Sequence, residues 1–327
     1  MGHPEMERLG MKARFRSEAV GVLAILAMVP AWTADEPRLL LLVTGAPGEA
    51  SHGKAFADQA RAWSALAGAA GDFEIREPRG REELQEACRS GRFRAAPEVW
   101  IVLVGHGTDD GRTAKFNLEG PDVAAGELSE WIQERTGPLV VVHAGECSGG
   151  FVPALSGPGR VVVTATQSGH EVVLPRFGGE LAAALGDAAA DLDQDGQVSV
   201  LEAFLAASAR TAAFYEREGR LASEHALLDD NGDGKGTRAD WFEGVRVVRR
   251  AADGEEADGK RARGLHLVPG AEDRKLTAEQ RALRERLEAE VEALRGKRGE
   301  MGDAAWYDAL EALFVRLGEL RGGQPDS

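Results

Sequence analysis

Two short apolar runs in this chain each end in a residue that can do chemistry. Glu98-Val99-Trp100-Ile101-Val102-Leu103-Val104 leads into Gly105-His106-Gly107, and Val140-Val141-Val142-His143-Ala144-Gly145 leads into Glu146-Cys147-Ser148-Gly149-Gly150. An imidazole beside a thiol can draw off its proton and leave a nucleophilic thiolate. At the carboxyl ends of buried strands such a pair would sit where open α/β sheets collect their ligand sites. The forty-one residues from His106 to Cys147 are enough for one crossover between neighbouring strands. The expected chemistry is nucleophilic attack by Cys147, with His106 as acid and base.

Holding such a pair requires a sheet, and from Arg38 the chain alternates strand and helix patterns. Leu39 to Thr44 is a continuous apolar run, and Lys54 to Ala69 has helical periodicity through Phe56, Ala60, Trp63 and Leu66. A strand at Phe73 to Arg76, a helix at Arg81 to Ser90, a polar excursion or hairpin at Gly111 to Pro121, a helix at Gly126 to Arg135 and a strand at Arg160 to Thr166 complete the pattern. Short apolar strands separated by helices imply right-handed crossovers and a mainly parallel sheet covered on both faces. His143 is expected to face the core. After Gly178 the composition changes, and the sheet is expected to end before that point. Residues 251–269 read as a charged linker, and residues 270–322 as a helical hairpin with stripes at Leu283, Leu287, Val291, Leu294 and at Trp306, Leu310, Leu313, Leu317.

With 43% hydrophobic and 28% charged residues, the chain is globular material. A formal charge of -15 argues against a nucleic-acid partner, because phosphate binding wants a basic face. Met11 to Arg16 is basic and Ala19 to Val29 apolar, as in a signal peptide. Residues 1–34 are therefore expected to be removed on export to the periplasm or outside the cell, with residues 1–10 an upstream extension if Met11 is the true start. The apolar run is shorter than the roughly 20 residues a spanning helix needs, so no stable membrane insertion is expected after cleavage. The two cysteines, Cys88 on an amphipathic helix and Cys147 after a buried strand, are expected to differ in role rather than form a bridge.

Two acidic stretches have the twelve-residue spacing of EF-hand calcium loops. Asp191, Asp193, Asp195, Gln197, Ser199 and Glu202 fall on the ligand positions of the first, with Gly196 at the turn. Asp229, Asn231, Asp233, Lys235, Thr237 and Asp240 repeat the pattern, with the shorter Asp in last place. The loops start 38 residues apart, close to the spacing of paired EF-hands. Calcium is the expected cofactor, with no organic one, and residues 178–250 form a calcium-binding segment packed on the sheet domain. Whether the loops make a true helix-loop-helix pair or isolated sites stays open.

A hydrophobic strand ending in His-Gly, followed by another ending in Cys and small residues, resembles the clan CD cysteine peptidases, the caspase and legumain group. The resemblance spans roughly Arg38 to Phe177. It implies a caspase-like α/β three-layer sandwich with a mainly parallel sheet over residues 36–177. It further implies that His106 is general acid and base, that Cys147 is the nucleophile, and that backbone N–H groups of Gly107 and Cys147 hold the oxyanion. His170, Glu171 and Arg176 follow the strand where that family builds its substrate pocket. One place departs from the pattern: the family carries an acidic residue or Gln two before the cysteine, with Ala between, whereas here Gly145 and Glu146 precede Cys147.

The expectation is an exported cysteine endopeptidase that cleaves peptide or protein substrates through a thioester, stabilised by calcium, with the hairpin offered to a protein partner. Two alternatives stay open: an inactive peptidase-like calcium-binding interaction module, and a transamidase using the same Cys-His pair.

Overall fold

The computed structural model describes residues 36–249, 257–299 and 301–322. The expected signal segment at residues 1–34 lies outside them. In chain order the elements are β1 (Arg38–Thr44), α1 (Ala50–Ala70), β2 (Phe73–Arg76), α2 (Arg81–Arg89), α3 (Gly91–Ala95), β3 (Val99–Val104), β4 (Gly107–Asp109), β5 (Ala114–Phe116), β6 (Val123–Ala124) and α4 (Ala125–Ile132). There follow β7 (Leu139–His143), α5 (Val152–Leu155), β8 (Arg160–Thr164), α6 (Phe177–Leu185), α7 (Val200–Arg217) and β9 (Leu227–Asp229). The short strands β10 (Phe242–Glu243) and β11 (Arg246–Val247) then precede α8 (Ala278–Gly296) and α9 (Asp303–Gly322).

The chain adopts the expected mixed α/β architecture. Six strands pair in the order β2-β1-β3-β7-β8-β9, all parallel except the antiparallel β8–β9 pair. The period-2 alternation of side chains divides the buried strands between two faces. Leu40, Leu42, Trp100, Val102, Val140 and Val142 pack with α1, α6 and α7 on one side. Leu39, Leu41, Ile101, Leu103 and Val141 pack with α2, α3, α4 and α5 on the other. Both faces are buried, so these strands read as unbroken apolar runs rather than alternating ones.

Two sequence expectations are corrected, and the question left open about the acidic loops is answered. The sheet continues past residue 178, because β9 adds a sixth strand antiparallel to β8. The two acidic stretches do not form a helix-loop-helix pair, since the second follows strand β9 and leads into a short turn at Ala239–Trp241. The charged stretch assigned as a linker is, from residue 257 on, part of the body: Asp258, Ala262 and Leu267 are buried, and Ser199 bridges to His266. Its polar groups are matched instead of solvated. Asp230 accepts backbone N–H bonds from Gly259, Arg261 and Ala262, while Asp258 accepts them from Asp230 and Asn231. Arg38, at the start of β1, donates to the carbonyls of His266 (2.7 Å) and Leu267 (2.8 Å).

The C-terminal helices α8 and α9 form the expected hairpin. Leu287, Val291 and Trp306 are buried, and the Trp306 indole donates to the Leu294 carbonyl at 2.9 Å. Among the described residues, no helix is long and apolar enough to cross a membrane.

Candidate functional site

The three central strands end side by side, with Thr44 in register with Val104 and Leu103 in register with His143. The turns that follow them, at Gly45–Gly48, Gly105–Gly107 and Ala144–Cys147, therefore meet at one sheet edge. Their backbones touch. A Cβ on Gly107 would stand 2.2 Å from the Glu146 carbonyl oxygen, so only glycine lets the histidine turn lie against the β7 turn.

At this edge His106 meets Glu146. Its Nδ1 lies 3.0 Å from Glu146 Oε1 and 3.2 Å from Oε2, and Glu146 is buried. The other ring nitrogen faces His52 Nδ1 at 3.2 Å and the Pro47 carbonyl oxygen at 3.3 Å. Phe56, one turn along α1 from His52, packs edge-on against the His106 ring with centroids 4.9 Å apart. A cleft of about 370 Å³ opens here, lined among others by Gly48, His106, Asn117, Glu146 and Val172.

The expected His106–Cys147 pair does not form: no hydrogen bond joins the two among the described residues. Cys147 is 3% exposed, does not line the cleft, and sits at φ +55, a left-handed conformation uncommon outside glycine. Burial pushes its thiol up, the charges of Asp109 and Glu146 push it further, and a backbone N–H of Asp109 pulls it back. That is the reverse of an activating environment, because a nucleophilic cysteine needs cationic neighbours. Its own N–H, expected to hold an oxyanion, donates to the Glu171 carbonyl at 3.0 Å. The physical reason is the path of the turn after β7. Strand β7 ends at His143, so Glu146 and Cys147 both lie in the turn beyond it, where Cys147 takes its left-handed conformation and the side chain that meets the imidazole is that of Glu146, one residue before the cysteine.

The other expected pocket residues also lie elsewhere. The Glu171 carboxylate takes bonds from His225 Nδ1 (2.6 Å) and from the Gln167 amides, which pins the loop after β8. Arg176 lies over the Phe214 ring at 3.8 Å, and the His170 side chain is exposed. From this loop it is Val172, 70% exposed, that reaches the cleft. His52 and Glu146 are the residues that sequence reasoning missed. The one signal for His52 is its place shortly after β1, a strand whose end shares the edge with His106. His143 is core-facing as expected: it stacks edge-on to Phe116 and Phe151, and burial pushes its imidazole down to about 3. The free thiol of Cys88, on the buried face of α2, is pushed up to about 12 by the same cause.

The first acidic loop gathers Asp191, Asp193 and Asp195, whose oxygens lie within 4.8 Å of one another. Asp195 is pushed up to about 6, by burial first and then by the charge of Asp193. Three carboxylates crowded and partly desolvated in this way suit a hard cation. Gly196, at φ +90, makes the turn. Arg263 offsets part of the charge, 2.9 Å from Asp193. Two expected ligands are engaged otherwise. The Glu202 carboxylate accepts the N–H groups of Leu192, Asp193 and Ser199, and the Ser199 hydroxyl donates to that same carboxylate, which caps α7. Gln197 turns its side-chain oxygen to the Gly270 N–H.

The second loop fits a cation less well. Asp229 accepts from the Ser156 hydroxyl and the Gly234 N–H, Asn231 accepts from the Asp233 N–H, and Asp233 accepts from the Lys235 N–H. Thr237 donates to Asp258 at 2.6 Å, and Asp240 turns away to Arg249 and Arg238.

Among solved structures, the chain is similar to the Drosophila initiator caspase Dronc, at 13% identity over 72% of this chain and 96% of that one, with a TM-score of 0.42. It is also similar to caspase-1 from Spodoptera frugiperda, at 9% identity over 61% and 91% of the two chains, with a TM-score of 0.41. A protein from Geobacter sulfurreducens matches at 12% identity over 54% and 89%, with a TM-score of 0.38. No protein-family model and no curated protein matches the chain.

Proposed function

We propose that this chain is an exported peptide- or protein-binding module on a peptidase-like sandwich, whose cleft beside His106 holds its ligand without cutting it. The observation that carries this reading is the pairing of His106 with Glu146, at 3.0 Å, in place of a thiol. Glu146 orients the imidazole as a triad acid would. The remaining ring nitrogen, however, faces His52 and a carbonyl, with no hydroxyl or thiol in hydrogen-bond reach among the described residues. A base without a nucleophile does not form an acyl-enzyme.

Calcium belongs to this reading as a stabiliser. Asp191, Asp193, Asp195 and the Gln197 carbonyl would hold it, and it would neutralise three crowded carboxylates. The second loop would bind more weakly. Export to the periplasm or beyond is supported by the basic start and the apolar run at residues 19–29. The exposed Tyr307, Phe314 and Val315 on α9 would offer a protein partner its contact.

A second reading is favoured by one observation, the left-handed Cys147. Backbone held in a sparsely populated region collects at functional sites, and relaxation there would change which side chain meets His106. Cys147 would then attack the carbonyl, the Gly107 N–H would hold the oxyanion, and His106 would protonate the leaving amine. Water would release the thioester in a peptidase, and an amine would release it in a transamidase.

The test is a panel of electrophilic peptide probes on the native protein, with and without calcium, for wild type, Cys147→Ala, Cys88→Ala and His106→Ala. The binding reading expects no labelling of native protein. Labelling lost in Cys147→Ala and His106→Ala but kept in Cys88→Ala would overturn it in favour of the cysteine peptidase.

A further inference from the structure

We infer that His52 and His106 form a binding site for an imidazole-seeking transition metal such as Zn²⁺, with Glu146 as the carboxylate behind the metal-facing histidine. His52 Nδ1 and His106 Nε2 face each other at 3.2 Å. Two imidazole nitrogens that share one zinc, each about 2.0–2.1 Å from it, subtend about 100° at that separation, close to the tetrahedral angle. The facing pair therefore already has the spacing that one ion requires.

Three further observations point to the same spot. The Nδ1 of His106 is bound to Glu146, which holds the ring with its Nε2 on the side of His52; metal-ligating histidines are held by a carboxylate on their far nitrogen in this way. The Pro47 carbonyl oxygen, 3.3 Å from the same Nε2, is an additional donor beside it. Gly48 carries no side chain over the spot, where a Cβ would stand 3.7 Å from Nε2, and both Gly48 and His106 line the cleft, from which solvent or a ligand carboxylate would complete the coordination. Imidazole donors select Zn²⁺, Cu²⁺ or Ni²⁺ over Ca²⁺, so this site and the acidic loop would divide the two kinds of ion between them. On binding, the metal displaces the proton that the two nitrogens share, and that proton is released to solvent.

The test is calorimetric titration of Zn²⁺ into the mature protein carrying no histidine tag, in excess Ca²⁺ so that the acidic loop is filled. Wild type is expected to bind one equivalent. His52→Ala should weaken binding at least tenfold, and Glu146→Gln should weaken it about 10–100-fold. Asp191→Asn should leave it unchanged. His52 is only half-buried, so its variant decides the outcome even if His106→Ala fails to fold. Absence of binding to wild type, or binding unchanged in His52→Ala, overturns the inference. Peptide capture measured separately, in chelator, keeps its failure distinct from failure of the binding reading.

Discussion

The imidazole of His106 is held by the carboxylate of Glu146, with Nδ1 3.0 Å from Oε1 and 3.2 Å from Oε2. Both carboxylate oxygens lie in reach of one N–H, so the ring cannot turn without losing a bond in a half-buried place. Charge-assisted bonds of this kind are roughly twice as strong as neutral ones. The side chain at position 146 therefore decides what the histidine can act upon.

From this follows a gain of function. Glu146→Cys, made in a Cys147→Ala background, puts a thiol on the side of the imidazole that the carboxylate now occupies, two bonds short of the carboxylate oxygens. The double variant is expected to react with peptide electrophiles that wild type ignores, and to lose that reactivity when His106 is also replaced. Intact mass after probe treatment reads the outcome; an inert double variant would mean that the edge lacks the geometry for acyl transfer.

Calcium should stabilise the fold through the first loop. At a concentration one hundred times the dissociation constant, a single site adds about 2.7 kcal/mol. Asp193→Asn should remove most of the rise in melting temperature, whereas Asp233→Asn, in the loop whose Asp240 is turned to arginines, should remove little. Equal effects from the two variants would contradict the ranking of the loops.

Acid should destabilise the protein through His143. Its folded value of about 3 lies below the ordinary 6.5, so the unfolded chain binds the proton more readily. The stability it contributes is complete above pH 6.5 and declines as pH falls toward 3, by up to about 1.4 kcal/mol per pH unit. Asp258, raised to about 6, acts in the opposite sense: its contribution is complete below 3.8 and lost as pH rises through 6. His143→Asn keeps an acceptor for the Gly145 N–H without a titrating ring. Urea unfolding between pH 7 and 4 should show a flatter acid limb for this variant than for wild type.

The clasp between Asp230 and Asp258 should be sensitive to shape more than to charge. Asp258→Ala strips acceptors from two backbone N–H groups and from the Thr237 hydroxyl, and is expected to cost about 3 kcal/mol. Asp258→Asn retains the acceptor for the amides, and the Thr237 hydroxyl can turn to accept from its NH₂. Its cost should be below about 1 kcal/mol. Denaturant midpoints distinguish the two; an asparagine variant as unstable as the alanine one would assign the clasp to the charge itself.

Much of the sheet is legible in the sequence because burial on two faces writes itself as uninterrupted Leu and Val, as in Leu39–Val43 and Val140–Val142. Strand β9 is not, since three residues carry too little pattern to separate from a loop. Residues 257–268 mislead for a different reason. Composition counts charges without seeing partners, and Asp258 is buried against amides that only the fold supplies. At the site, the edge and His106 follow from strand ends, but the choice between Glu146 and Cys147 is made by the turn after β7, whose left-handed Cys147 no sequence pattern announces. His52 stands out by no pattern of its own, because its partner lies 54 residues on.

Arg38 has a consequence for how the chain is made. Its guanidinium closes on the carbonyl of His266, 228 residues later, and on that of Leu267 beside it. At 5–20 residues per second, roughly 10 to 50 s of synthesis separate the two ends of this contact. During that interval the first strand of the sheet has left the ribosome with its rim unsealed. A nascent chain halted before residue 266 would present that rim to chaperones and proteases, and release of the last stretch would act as the latch that ends its exposure.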